Sequence, residues 1–428
     1  MYHSYVKRSL LAIVCFLSTF TTITAQNSNK ENSPYSRFGI GEFRNGLNPM
    51  LRGMGSVSTA YVNEYAINTG NPASYASLKL TTYEVSAEGS VKNMRVGNEN
   101  YTSGMATLSH INIGIPVSKH AALVLGLRPV ARTYYSMSDT TDMPAIGTSL
   151  RTYSGDGSVN LAFLGLAGKY KNFSAGINVG YLFGTTRYSS VLSNLVDTNH
   201  IYNADFSVYN RIGGIHWSAG LLYEGKVHKS MNLRAGATFS LSQHIATTQD
   251  VYELSWRNSG TTQILDTAVS IKGHKGYTVL PFSYSLGVQL VDVENRWSAG
   301  LDFSMTQWGD YKQFDQKDSL ANQSWKIGIG GEYTPNVRNL YKYYNRITYR
   351  LGFYYGTDYV LLRNTTLPCY AVTAGVSLPF RRTMDKVHLA LEMGRRGTKS
   401  NGLIQENFYK FSVGISLNDK WFLKRKYD

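Results

Sequence analysis

Three cations, Arg128, Lys326 and Arg350, each lie at a polar position within a segment in which apolar and polar residues alternate. A guanidinium or ammonium group in an enclosed site is suited to bind an ionised carboxylate, because a carboxylate that leaves water needs a charged partner. Acidic residues occupy equivalent positions in other segments: Glu84, Glu332 and Glu392. The pattern is therefore compatible with ligand binding by these cations and with internal ion pairs.

Motifs of common catalysts are absent from the sequence. It contains no H-E-x-x-H, no G-x-S-x-G, no phosphate-binding glycine loop and no Cys/His cluster with metal-ligand spacing. His216 and Ser218 share one face of a segment, as chance allows in a serine-rich chain. We therefore predict that the protein is not an enzyme and has no catalytic residues, metal or cofactor. Although the formal charge is +15, the absence of nucleic-acid-binding motifs predicts no nucleic acid partner.

Residues 1–25 have the layout of a secretory signal peptide. Lys7 and Arg8 precede a short apolar run, and small residues follow it up to a cleavage site that we place near Ala25. The apolar run is too short to cross about 30 Å of hydrocarbon as a helix. The sequence thus predicts an exported protein, which keeps Cys369 as its one cysteine after cleavage and so has no internal disulfide.

From residue 79 onward, apolar residues recur at every second position, which is the period of a β-strand. We count fourteen such segments, among them 231–243 and 277–291, and short connections between them alternate with long ones. High tyrosine and glycine contents with few charges are typical of a barrel with aromatic girdles, a lipid-facing surface and a polar lumen. The fold class predicted is all-β: a membrane-spanning 14-stranded antiparallel β-barrel over 79–417, in the bacterial outer membrane, followed by a basic periplasmic tail, 418–428. A secreted soluble all-β protein is the alternative.

Residues 26–78 precede the first strand and lack a sustained period. Turn sequences occur at Ser33-Pro34, Asn48-Pro49 and Asn71-Pro72, and apolar residues are too frequent for a solvated tail. A barrel of fourteen strands is too wide for its own side chains to fill. We therefore predict that this stretch forms an N-terminal plug in the lumen, with a disordered periplasmic leader as the alternative.

The stretch LRGMGSVSTAYVNEYAINTGNPASYASL, residues 51–78, resembles the plug of the FadL-type outer-membrane transporters of long-chain fatty acids and aromatic hydrocarbons. SPYSRFGIGE near the start and NDKWFLKRK near the end resemble a divergent branch found in Bacteroidota. The resemblance implies passive uptake of a hydrophobic small molecule, such as a fatty acid, gated by plug movement. The plug or gating residues that it implies are Arg52, Gly53, Gly55, Asn71, Pro72 and Ala73, with a plain tight turn before the first strand as the alternative.

Two functions follow from these observations. The first is a plugged channel whose partners are outer-membrane lipid and a hydrophobic ligand, the latter bound in the lumen by Arg128, Lys326 and Arg350. The second is a non-transporting barrel subunit of an outer-membrane protein secretion or barrel-assembly complex, with other outer-membrane or periplasmic proteins as partners. A channel needs an apolar pocket between plug and wall, whereas a subunit of a complex tolerates a filled lumen.

Overall fold

The computed structural model describes residues 32–421 except 98, 145–146, 196–201, 259–261, 337–341 and 382. The predicted signal peptide, residues 26–31 of the predicted plug and residues 422–428 of the predicted tail lie outside the described residues. None of the helices in the described part is long or apolar enough to cross a membrane.

Fourteen antiparallel strands form a closed barrel, as predicted, because the last strand pairs with the first over the whole length of both. Two strands, β7 and β8, each contain a two-residue interruption. The strands are β1 Thr81–Val96, β2 Glu99–Ser118, β3 Ala121–Met143, β4 Gly147–Tyr170, β5 Phe173–Asn194, β6 Asn203–His228, β7 Met231–Ser240 continued by Gln243–Asn258, β8 Thr262–Leu280 continued by Ser283–Asp292, β9 Trp297–Thr306, β10 Ser324–Tyr333, β11 Thr348–Leu362, β12 Thr365–Pro379, β13 Lys386–Arg396 and β14 Gln405–Asp419.

The two faces of the wall differ in polarity. Along β1, the polar side chains of Glu84 and Glu88 are buried whereas the apolar side chains of Val85 and Val91 are exposed. Buried and exposed residues alternate in the same way on other strands, for example on β9 and β11. Because alternate residues point to opposite faces of a strand, lipid meets the apolar set and the polar set faces the lumen.

Short turns and the end of β14 lie at one end of the barrel. We assign this end to the periplasm because outer-membrane barrels have short periplasmic turns and longer extracellular loops. The sequence prediction is wrong on the extent of β7 and β8, which continue toward the extracellular side as Gln243–Asn258 and Thr262–Leu280. Side chains of 266–276 are mostly exposed on both faces, so the alternation that marks a membrane-facing strand is lost there. At the other boundary, β14 extends to Asp419, two residues into the predicted tail.

Residues 32–80, here called the luminal segment, lie inside the barrel. Their short helix α1, Pro49–Arg52, contacts β12, β13 and β14, whereas the 3-10 turn Pro72–Ser77 contacts β3 to β6. Both elements start at an Asn-Pro pair, in which the asparagine side chain accepts a hydrogen bond from a backbone N–H of the first turn. One segment thus touches strands in distant parts of the wall through their inward faces.

Candidate functional site: the filled lumen

Wall glycines allow the luminal segment to approach the strands backbone to backbone. A Cβ atom at Gly375 would lie 3.1 Å from Cα of Gly53. A Cβ atom at Gly352 would overlap the backbone of Met54 and Gly55. Similar contacts occur on other strands, at Gly176 with Pro72, at Gly236 with Thr59 and at Gly330 with Met54, and the ring of Pro49 packs against Gly414. Larger residues at these positions would displace the segment.

Polar wall side chains satisfy backbone groups of the luminal segment that regular structure leaves unpaired. The Asp302 carboxylate accepts hydrogen bonds from the backbone N–H groups of Ser58 and Thr59, at 2.7 and 2.8 Å. Glu84 accepts one from the backbone N–H of Ile67 at 2.9 Å. These bonds fix the path of an irregular chain.

Arg52 forms the central ion pair between the luminal segment and the wall. Its side chain is 1% exposed and lies between two carboxylates, Glu88 on β1 and Glu392 on β13. The Arg52 Nε atom lies 3.3 Å from Glu392, and the Tyr354 hydroxyl donates a hydrogen bond of 3.1 Å to the same carboxylate. Removing one partner of a buried pair of this kind leaves an uncompensated charge.

A second buried ion network lies toward the extracellular side. Arg396 on β13 lies 2.6 Å from Asp358 and 3.8 Å from Glu42 of the luminal segment. Glu42 also pairs with Lys92 on β1 at 2.5 Å. Ion pairs therefore join three strands, β1, β11 and β13, and the luminal segment at this level.

The three predicted ligand-binding cations occupy different surroundings. Arg350 pairs with Glu332 at 2.8 Å and donates a hydrogen bond to Ser377. The Lys326 ammonium lies 5.4 Å from the centre of the Tyr354 ring. Neither Lys326 nor Arg128 forms an ion pair with a described residue, and the Arg128 guanidinium lies close against Gly46. Arg350 is thus held in an internal ion pair, which the sequence pattern allowed as the alternative to ligand binding. Ligand binding by the three cations stays a prediction.

The residues implied by the family resemblance have structural explanations. Asn71 accepts a hydrogen bond from the Ala73 backbone N–H at 3.0 Å and donates to the carbonyls of Thr59 and Leu221. Gly55 has a φ of +66°, in the region that favours glycine. Arg52, Gly53, Gly55, Asn71, Pro72 and Ala73 all contact the wall or shape a turn. Their role in gating stays a prediction.

Sequence reasoning missed a seam between β2 and β3. These strands pair only from Ile111 to Ser118, and nearer the extracellular side the free edge of β3 bonds to the luminal segment instead. Glu42 and Phe43 pair with Arg132 and Ala131. Further bonds run from Ser33 N–H to the Tyr134 carbonyl, at 3.0 Å, and from Arg44 N–H to the Val130 carbonyl, at 2.8 Å. One signal was available, since Pro129 cannot donate to a ladder and marks the position where pairing changes.

Cavities open at both ends of the lumen. The periplasmic one, of about 600 Å³, is lined in part by Glu64, Lys79 and Lys119. The extracellular one, of about 570 Å³, is lined in part by Arg37 and Asp318. Charged side chains thus line both cavities, and the luminal segment packs against the wall between them. Among the described residues, no group of His, Cys, Asp and Glu side chains is arranged to hold a metal ion.

The fold is that of outer-membrane transporters of the FadL type, which confirms the resemblance at the level of structure. The toluene transporter TodX of Pseudomonas putida is 16% identical, with 88% of this chain and 98% of that chain covered and a TM-score of 0.60. A FadL homologue of Pseudomonas aeruginosa is 13% identical, with 88% and 99% covered and a TM-score of 0.58. The toluene transporter TbuX of Ralstonia pickettii is 14% identical, with 87% and 98% covered and a TM-score of 0.54.

Comparison of the sequence with models of protein families gives a match. The model of the BamG family matches residues 5–428. Comparison with curated proteins gives no match. With the barrel fold, these findings identify an outer-membrane protein.

Proposed function

For a chain that belongs to the BamG family, we propose a structural role: a closed barrel that serves as a non-transporting subunit of an outer-membrane protein secretion or barrel-assembly complex. One observation carries the proposal. The luminal segment is held as a fixed part of the wall, because wall glycines contact its backbone and buried ion pairs join it to β1 and β13. Releasing it would separate Glu88 from Arg52 and Arg44 and would leave Glu392 with Lys410 at 3.8 Å, and breaking one buried pair costs about 3–5 kcal/mol.

The β2–β3 seam supports the same role. In the extracellular half of the wall, the free edge of β3 is a site where a molecule in the lumen would reach lipid sideways. Residues 33–44 of the luminal segment occupy that edge through backbone hydrogen bonds. A hydrophobic ligand would have to break these bonds in order to pass.

Passive uptake of a hydrophobic small molecule, such as a fatty acid, is the second candidate. The observation that favours it is the fold, which this chain shares with structures described as toluene transporters and a monoaromatic hydrocarbon channel. In this case the luminal segment moves to open a path, and Lys326 and Arg128 are free to bind a carboxylate.

A disulfide between the luminal segment and β3 separates the two candidates. Phe43 and Ala131 are paired across an antiparallel ladder, so their Cα atoms lie at about 4.5–5.5 Å, within the range for a disulfide. The variant Phe43→Cys/Ala131→Cys is made with Cys369→Ser and reconstituted into liposomes, and toluene and oleate uptake is measured with and without reductant. The matched control is Cys369→Ser alone.

The structural role predicts no uptake above that of empty liposomes in either redox state. It also predicts that the oxidised variant, purified in mild detergent, retains a partner protein in fixed ratio as the control does. Uptake by the control that the disulfide abolishes and reductant restores would establish the channel instead.

A further inference from the structure

We propose that the periplasmic end of the outer wall between β4 and β7 binds an anionic phospholipid. Its acyl chain lies in an apolar groove of the wall, and its phosphate lies against basic side chains of the turns at the rim. The inference depends only on the outer-membrane location, and holds for a structural subunit and for a channel.

The groove has a volume of about 590 Å³ and faces the lipid. The side chains of its floor are small, because Ala175, Ala235 and Ala237 occupy positions where other strands carry larger apolar residues. Phe173 and Tyr223 form one wall, with ring centres 5.0 Å apart. A groove of this size is in the usual range for small-molecule sites, and its apolar floor suits a hydrocarbon chain.

Basic residues lie in the periplasmic turns of the strands that form and flank this groove, and the Lys171 ammonium lies 5.4 Å from the centre of the Tyr170 ring, which lines it. Lys119, Lys171 and Lys229 lie in the three successive periplasmic turns β2–β3, β4–β5 and β6–β7, and all three are exposed. None of them forms an ion pair with another residue in the described part of the chain. His120, beside Lys119, lines the groove itself.

The apolar groove and the basic turns together indicate the chemical class of the ligand. Tyr170 and Phe173 are 73% and 64% exposed at the same end, as expected of aromatic residues at the membrane interface. A lysine stem can extend along this surface and place its ammonium at the depth of the phosphate groups. A lipid with net negative charge gains about 1 kcal/mol for each such cation, whereas a zwitterionic lipid gains less. An acidic protein would use the lysines but not the groove.

The test measures lipid binding to the full-length protein in mild detergent by native mass spectrometry. Phosphatidylglycerol and phosphatidylethanolamine are titrated separately. Lys171→Gln/Lys229→Gln removes the cation beside Tyr170 and a second exposed cation of the neighbouring periplasmic turn, and Arg381→Gln/Lys399→Gln removes two exposed cations elsewhere as the matched control. Ala237→Phe fills the groove without changing charge, and heat-modifiable gel mobility verifies that each variant is folded.

The wild type is expected to bind phosphatidylglycerol at least tenfold more tightly than phosphatidylethanolamine. The lysine variant should bind phosphatidylglycerol roughly 30-fold more weakly, which corresponds to about 2 kcal/mol for two lysines, while the control stays within twofold. Ala237→Phe should weaken both lipids. Equal binding of the two lipids by the wild type, or unchanged binding by the lysine variant, would overturn the proposal. So would release of an acidic protein by the lysine variant with lipid binding unchanged.

Discussion

Asp302 on β9 and Ser58 in the luminal segment are 244 residues apart in sequence and are joined by a hydrogen bond of 2.7 Å from the Ser58 backbone N–H to the carboxylate. The same oxygen accepts a bond from the Thr59 N–H at 2.8 Å. A buried carboxylate with two backbone donors stabilises one path of the irregular chain. The strand and the luminal segment are therefore expected to unfold together.

Asp302→Ala is expected to loosen the luminal segment. Hydrogen bonds to a charged group contribute about 1.5–3 kcal/mol each, and water will replace part of the loss, so we expect a destabilisation of about 2–3 kcal/mol. The temperature at which the folded band disappears on a heat-modifiability gel should fall, and protease should cut residues 55–65 faster. Asp315→Asn, in an exposed loop, is the matched control; a result for Asp302→Ala equal to this control would show that the bonds do not hold the segment.

Gly352→Ala is expected to hinder folding of the barrel around the luminal segment. The new methyl group would overlap the backbone of Met54 and Gly55, which cannot move without breaking other wall contacts. Overpacking of this kind costs about 1–3 kcal/mol or more. Gly89→Ala on β1 is the control, since no atom lies within 4 Å of a Cβ atom there. The yield of folded protein should fall for Gly352→Ala alone, and equal yields would mean that the contact is not tight.

Arg52→Ala is expected to destabilise the protein by about 3 kcal/mol, the lower end of the cost of breaking a buried pair, because Glu88 is left with Arg44 at 3.7 Å and Glu392 with Lys410 at 3.8 Å. Removing the charge of the acids in the same chain, as Arg52→Ala/Glu88→Gln/Glu392→Gln, should recover part of that loss, since Arg44 and Lys410 lose their longer pairs to the same two acids. Heat-modifiability of the two variants gives the comparison. If the triple variant is no more stable than Arg52→Ala, the carboxylates are not the source of the cost.

The barrel could be predicted from the sequence because the alternation of apolar and polar residues is a property of each strand by itself. Each membrane-facing strand must alternate apolar and polar residues, as Tyr409 to Leu417 do, and this alternation alone gives the count of fourteen. Where β7 and β8 leave the membrane, water contacts both faces, and residues such as His274 and Lys275 carry no such constraint. Their strand state depends on pairing with β7 residues more than twenty positions away, which a local pattern cannot reveal.

The contacts inside the lumen were less predictable. Polar alternation placed Glu84, Glu392 and Arg350 on the inner face, but it did not show which partner each would meet. Arg52 reaches Glu392 across 340 residues, and the pairing of Phe43 with Ala131 depends on the change of pairing near Pro129. These are relations of three-dimensional position, so one sequence without its fold does not determine them.

A second seam, between β6 and β7, leads to the last prediction. β6 pairs with β7 from Asn203 to Ile212 and again from Ala219 to His228, but not between. In the gap, the Gln243 side chain accepts a hydrogen bond from the Trp217 N–H at 3.0 Å and donates one to the Trp217 carbonyl at 2.8 Å. A side-chain amide thus takes the place of a backbone peptide group in the ladder.

Gln243→Leu keeps the approximate volume but removes both bonds, so the Trp217 N–H loses its partner in a water-poor wall, while the Trp217 carbonyl keeps the bond of 3.0 Å from the Ser240 hydroxyl. We expect amide hydrogen exchange of residues 213–218 to become at least tenfold faster, since one lost pair of hydrogen bonds at about 1 kcal/mol each corresponds to roughly that factor. Exchange on β12 and β13 should stay unchanged. Gln316→Leu, in an exposed loop, is the control, and unchanged protection of 213–218 in Gln243→Leu would mean that other contacts close this seam.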